Sequence, residues 1–274
     1  MAKKSVNEMS FLDHLEELRW ILVRSAVAVT IAAVVVFFFS DFIFDKVIFG
    51  PTSADFVTYR FFCDFSRRLG FEDAICVTEM PFIIQNTNME GQINIFVWIC
   101  ILGGFILAFP YILWELWKFI RPALYEKERR NAKWFISFSS ILFFLGVLFG
   151  YYLVVPLSVN FFATFQVSDI VKNQFSIDSY ISMVKTSVIA SGLYFEMPIV
   201  IFFLSKLGLV TPEFLRRYRK WGIVIILIVA AIVTPPDVVS QVLVAIPMLL
   251  IYELSIYISA TVTKARLKSI DLDN

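Results

Sequence analysis

The chain has 274 residues, 59% of them hydrophobic and 17% charged, with a formal net charge of +1 and a mean hydropathy of +0.77. Soluble domains sit near about 45–50% apolar and about 25% charged, so a water-soluble fold, which would have to cover thirty Phe and six Trp, is excluded. One His and three Cys make no multi-His or multi-Cys metal site, and neither a phosphate loop nor a hydrolase motif occurs, so no catalytic centre, metal or cofactor is expected.

The segment 1–19 comes before the first long apolar run. Phe11, Leu12, Leu15, Leu18 and Leu22 recur at helical spacing behind a capping-box-like Ser10 and Asp13, which predicts an amphipathic helix at the membrane interface. Taken alone, Glu16 and Glu17 read as solvated charges, and His14 as a surface or packing residue. The run 20–40 is long enough to span, too long for a typical signal-peptide core, and has no small-x-small cleavage site, so this helix is expected to stay attached.

Residues 41–90 form the one sizeable extramembrane segment, with eight acidic residues and the pair Cys63 and Cys76. In an oxidising compartment these two can bridge, closing a short loop for about 3 kcal/mol; otherwise they are two small buried thiols. Cys100 reads as inert packing inside the next span.

Five further apolar segments follow: 93–117, 134–155 ended by Pro156, 180–204, 221–234 and 241–261. The segment 221–234 has only 14 residues, about 21 Å as a helix against a core of about 30 Å. The sequence therefore predicts an all-α membrane protein, one polytopic domain over 1–274, with six spans and a cytoplasmic tail at 262–274. With the amino terminus in the cytoplasm, eighteen basic residues fall in the inner pieces and five in the outer ones. The positive-inside rule then places both termini inside. Basic residues scattered in this way form no nucleic-acid patch.

Three polar features need a reason. Residues 117–130 combine aromatic and charged side chains in the manner of an interfacial helix, with Glu128 beside nearby arginines. Glu196 lies near the middle of the fourth span, where a carboxylate costs about 2.5–3.5 kcal/mol on insertion scales. Pro198 breaks the helix beside it, and such a buried polar patch at a broken helix is a functional candidate. Lys185 lies about three turns earlier, where it can snorkel outward. Glu253, near the inner end of the last span, is a weaker case.

Together these residues resemble the TatC family, the core subunit of the twin-arginine protein translocase. Phe11-Leu-Asp-His-Leu-Glu-Glu-Leu-Arg19 resembles the amino-terminal signature of that family, and Phe119-Ile-Arg-Pro-Ala-Leu-Tyr-Glu-Lys-Glu-Arg-Arg130 its first cytoplasmic loop. Phe195-Glu-Met-Pro198 is similar to its fourth-span motif. Thr234-Pro-Pro-Asp-Val-Val-Ser-Gln241, followed by Ala245-Ile-Pro-Met248, is similar to its last outer turn and sixth span.

The resemblance implies a concave six-helix bundle in the bacterial cytoplasmic membrane with two short final helices. It implies a receptor and scaffold that exports folded proteins on the proton-motive force, with self-association and TatA- and TatB-type single-span partners. Glu17 and Glu128 then hold the two guanidinium groups of a twin-arginine signal peptide, and Arg19 shapes that site. Glu196 offers a polar contact to a partner helix. Asp237 either closes the outer turn structurally or meets a partner's terminus. The segment 41–90 is longer than the family pattern and inherits no role, and Lys185 stands where the pattern has an uncharged residue. The rival reading is a proton-coupled transporter of a small solute, built from the same intramembrane charges and Pro-broken helices.

Overall fold

Apolar runs of this length must satisfy every backbone donor and acceptor within the segment, so they coil into helices. The computed structural model describes residues 11–68, 70, 76–77, 80–120, 132–168, 170 and 172–273, with side chains except at 11–14, 120, 132–134 and 266–273. Among the described residues five helical stretches are long and apolar enough to cross a membrane: Leu15–Phe38, Gly91–Phe119, Phe135–Thr164, Ile177–Leu207 and Val238–Ala265. The chain divides into two units, residues 1–44 with 92–141 and residues 45–91 with 142–274.

The first unit is built on α1 (Phe11–Phe38) and α3 (Gly91–Ile120). The expected amphipathic segment and the first span are one continuous helix; the Ser10 cap lies outside the described residues. Gly104 sets how closely the two helices approach, since a Cβ there would stand 2.7 Å from Val29 O and Ala33 N. Small residues at such crossings let backbones pack where lipid supplies no hydrophobic drive.

In the second unit the chain leaves the first span through a π-helical turn (Ile43–Ile48), then forms α2 (Val57–Arg68) and a short strand β1 (Ile83–Gln85). β1 pairs in parallel with β2 (Gln174–Ser176), Ile83 opposite Gln174. This small sheet is a departure from the all-α expectation. Cys63 and Cys76 are joined by a disulfide, with Cα atoms 4.5 Å apart.

The third span differs from the sequence expectation as well. Pro156 does not end it: α4 (Ala132–Phe149) passes through a π-helical segment (Gly150–Val154) into α5 (Val155–Thr164). Pro156 falls in the first turn of α5, where its missing N–H is not needed. Gly146 and Gly150 lie against the fourth span, with built Cβ atoms 2.6 Å from Ser191 O and 2.8 Å from Ser187 O.

The fourth span is two helices, α6 (Ile177–Phe195) and α7 (Met197–Leu207), which meet at Glu196. α7 ends on Gly208 at φ 77°, the left-handed cap that glycine takes without strain. After α8 (Pro212–Arg217) come α9 (Arg219–Val233) and α10 (Val238–Asp273). Only one of the two closing helices is short. α9 has 15 residues, about 22 Å, whereas α10 has 36 and carries Pro247 inside it. Ile226, Ala230, Val244, Met248, Tyr252 and Ile256 form the core between them. The Tyr252 hydroxyl donates to Leu215 O at 3.0 Å, and Gly222 leaves room for its ring.

Candidate functional site

The α1 stretch that carries the amino-terminal motif enters the apolar span without a break, so its carboxylates are carried to the edge of the membrane. Glu16 is exposed and Glu17 half-buried. Glu17 Oε2 is buried and has no hydrogen-bond partner among the described residues. Ser25 Oγ, two turns further along α1, is in the same condition. A buried acceptor without a donor costs about 1–3 kcal/mol, more when charged, so Glu17 is a place where a donor would be taken up favourably. Arg19 is exposed and lies 5.6 Å from the Trp20 ring centroid. It faces an aromatic side chain of its own helix. Glu128 lies outside the described residues, as does the rest of the loop 121–131, and the His14 side chain is likewise not described.

One charged group that sequence reading missed lies on the helix paired with α1. Glu115, on α3, is 1% exposed. It accepts from Arg24 Nε at 2.9 Å and from Lys118 Nζ at 2.8 Å. Lys118 also sits 3.4 Å from the Trp114 ring centroid, a cation–π contact. Arg24 lies seven residues after Glu17, about 10 Å along the same face of α1. Glu115 is hidden within a run that reads as apolar; the signal was Trp114-Glu-Leu-Trp-Lys118, an i,i+3 acid–base pair between tryptophans.

In the second unit Glu196 is 8% exposed and occupies the joint of α6 and α7 at φ −77° and ψ −7°. Its N–H donates to Leu193 O and Tyr194 O, so the carbonyl that Pro198 deprives of its helical donor is satisfied locally. The Tyr194 hydroxyl donates to Met248 O at 3.0 Å, tying the break to α10. Lys185 is half-buried one helix segment earlier. Glu253 pairs with Arg219 at 2.7 Å on the surface.

Asp237 acts at the start of α10. Its carboxylate accepts from Ser240 N at 2.7 Å and Val239 N at 3.3 Å, the pattern of a helix N-cap. The hydrogen bond from the Ser240 side chain, then that from the Ser240 N–H, holds this carboxyl below the usual aspartate range against the opposing effect of partial burial. Among the described residues no group of three or more His, Cys, Asp or Glu is arranged to hold a metal ion.

Comparison with known proteins gives one answer throughout. Residues 13–247 match the family model described as TatC, Sec-independent protein translocase protein. A Sec-independent protein translocase protein TatC of Blattabacterium sp. subsp. Periplaneta americana is 42% identical over 269 residues, covering 96% of this chain and 100% of that protein. The TatC of Aquifex aeolicus is 36% identical, covering 94% of this chain and 98% of the other. Among solved structures, a twin arginine translocase receptor TatC in DDM superposes at a TM-score of 0.70, with 36% identity and coverage of 90% and 99%. A second crystal structure of a twin arginine translocase receptor TatC gives 0.67 at 35% identity, covering 90% of this chain and 97% of that one.

Proposed function

Because this chain belongs to the TatC family of Sec-independent protein translocase proteins, multi-pass proteins of the inner membrane, we propose that it is the signal-peptide receptor and scaffold of a twin-arginine translocase. In this reading the chain crosses the membrane six times with both termini in the cytoplasm, α9 making the short fifth crossing and thinning the bilayer locally. Glu17 and Glu128 receive the two arginines of the signal peptide. A carboxylate takes a guanidinium through two parallel hydrogen bonds, which an ammonium cannot reproduce. The observation that carries the reading is the buried Glu17 Oε2, which has no partner among the described residues. An arriving guanidinium removes that penalty, and the lower dielectric of the interface strengthens the pair. Arg19 holds the local field and orientation without touching the like-charged ligand.

Glu196, buried at a helix joint, is the polar contact for a TatA- or TatB-type single-span helix, and assembly with such partners couples transport to the proton-motive force. Asp237 is chiefly the cap of α10. No feature of the described residues favours a solute transporter over this reading.

The test is binding of a twin-arginine signal peptide and a twin-lysine control to the detergent-solubilised protein. Wild type is expected to prefer arginine. Glu17→Ala and Glu128→Ala should each weaken binding roughly 10- to 150-fold, the loss of one charge-assisted pair at about 1.5–3 kcal/mol. Arginine-selective binding that survives both substitutions would remove the site assignment, and no selectivity in folded wild type would remove the receptor.

A further inference from the structure

The segment 41–90, to which the family resemblance assigns no role, carries α2, and we infer that α2 is an interfacial anchor whose outward face lies among phospholipids, with Arg60, Arg67 and Arg68 at the headgroup phosphates. The helix has two faces. Thr58, Tyr59 and Ser66 are buried. Val57, Phe61 and Phe65, four residues apart, are 55%, 64% and 52% exposed. These three make an apolar stripe along one side, with the Phe61 and Phe65 rings stacked at a centroid distance of 6.3 Å. Arg60, Arg67 and Arg68 are exposed along or beside that stripe, with Asp64 the one acidic residue of the helix. An exposed apolar stripe with basic residues at its border is the pattern of a helix lying in the plane of a membrane surface.

The depth at which α2 is fastened selects lipid as the occupant. The Tyr59 hydroxyl donates to Pro156 O and to Pro51 O, each at 3.0 Å, and the Thr58 hydroxyl donates to Tyr152 O. Residues 152 and 156 belong to the span Phe135–Thr164, whose 30 residues make about 45 Å of helix against a hydrocarbon core of about 30 Å. The apolar run 134–155 in this span has about the length needed to cross and ends at the rung where α2 is tied. The helix is therefore held at the level where this span leaves the hydrocarbon. Tyr152, on the same rung, is 43% exposed, as expected of an aromatic side chain in the interfacial belt. A lipid surface also accounts for a basic cluster in a segment where the charge bias disfavours one, because headgroup phosphates attract it. That the leaflet is the outer one rests on the proposed orientation; the lipid contact does not.

The experiment places the photoreactive p-benzoylphenylalanine at Phe61 or Phe65 of the full chain, an enlargement of the side chain that an exposed face accommodates. The protein is reconstituted in vesicles of phosphatidylethanolamine with phosphatidylglycerol, or of phosphatidylcholine alone, and its intact mass is read after irradiation. The expected product at both positions is the chain plus one phospholipid, with a yield several-fold higher in the anionic vesicles. Arg60→Gln/Arg67→Gln/Arg68→Gln should keep the lipid adduct and lose the difference between vesicles. A dominant cross-link to a second polypeptide, whether another copy or a partner, would overturn the proposal, as would absence of any adduct in protein that retains its Cys63–Cys76 bridge. Equal lipid yields in the two vesicles would overturn the assignment of the arginines. Signal-peptide binding is read separately, so the receptor reading and this one fail independently.

Discussion

Two stretches of the first unit treat a carboxylate inside an apolar helix in opposite ways. Around residue 115 on α3 the charge is compensated: Glu115 is shielded from water and receives Arg24 and Lys118 within 2.9 Å. Around residue 17 on α1 the compensation is incomplete, with one buried carboxylate oxygen lacking a partner among the described residues. Equal formal charges thus play unequal roles. The Glu115 cluster ties α1 to α3 and engages both carboxylate oxygens. Glu17, on α1, has a buried acceptor without a partner among the described residues. In the proposed function that open acceptor is where the signal peptide's donor is received.

The sharpest way to break this comparison is to strip Glu115 of its cations. Arg24→Ala/Lys118→Ala leaves a carboxylate that is 1% exposed with neither of its two bases. Removing the partners of a buried ion typically costs about 3–5 kcal/mol. The double variant should show a large fall in the midpoint of thermal unfolding in detergent. Adding Glu115→Gln to it should restore much of the loss, because the uncompensated charge is then gone. If the double variant unfolds like wild type, Glu115 is not the electrostatic hub that its distances imply.

Asp237 supplies a third case, a carboxylate satisfied by backbone N–H groups at a helix start. Asp237→Ala should cost about 1 kcal/mol as the loss of a cap. Asp237→Asn keeps the cap and removes the charge. Because the native carboxyl lies below its ordinary value of 3.8, its ionised form stabilises the fold at pH above that value. This contribution is lost as pH falls through the lower native value. The gap in unfolding midpoint between wild type and Asp237→Asn should therefore be present at pH 6 and close on acidification. A gap independent of pH would remove the ionic part of the argument.

The sequence made some of these environments legible and concealed others for physical reasons. Run lengths were enough to place the five long apolar helices and to mark residues 221–234 as too short, since hydrophobic length depends on composition alone. Glu196 was conspicuous because a lone carboxylate at mid-span has few bland explanations. Glu115 was not, because its meaning depends on the register of α1 against α3, fixed by the close approach at Gly104 and not by any local pattern. The continuation through Pro156 needed the π-helical segment before it, where a proline rule read along the sequence expects a stop; Pro247 lies inside α10, as the apolar segment 241–261 implied. The three-residue strands β1 and β2 pair across 91 positions, beyond the reach of periodicity. The Cys63–Cys76 pair had two open readings until the fold brought the two residues together.

The smallest expected change in stability is the most informative about the comparison. Glu17→Gln removes a charge from a half-buried position while keeping the side chain's size and one acceptor. If Glu17 were structural in the manner of Glu115, this substitution would destabilise the protein by several kcal/mol, since a paired buried carboxylate cannot lose its charge without penalty. If its second oxygen is held for a ligand, the ligand-free protein loses no pair and sheds part of a desolvation cost. The unfolding midpoint of Glu17→Gln in detergent should then equal or slightly exceed that of wild type, within about 0.5 kcal/mol, the usual range for a position without a structural partner. The added signal peptide should make the difference: a saturating ligand raises the midpoint of wild type by mass action and should raise that of Glu17→Gln much less. A destabilised ligand-free variant would place Glu17 beside Glu115 as a structural charge and end the distinction between the two.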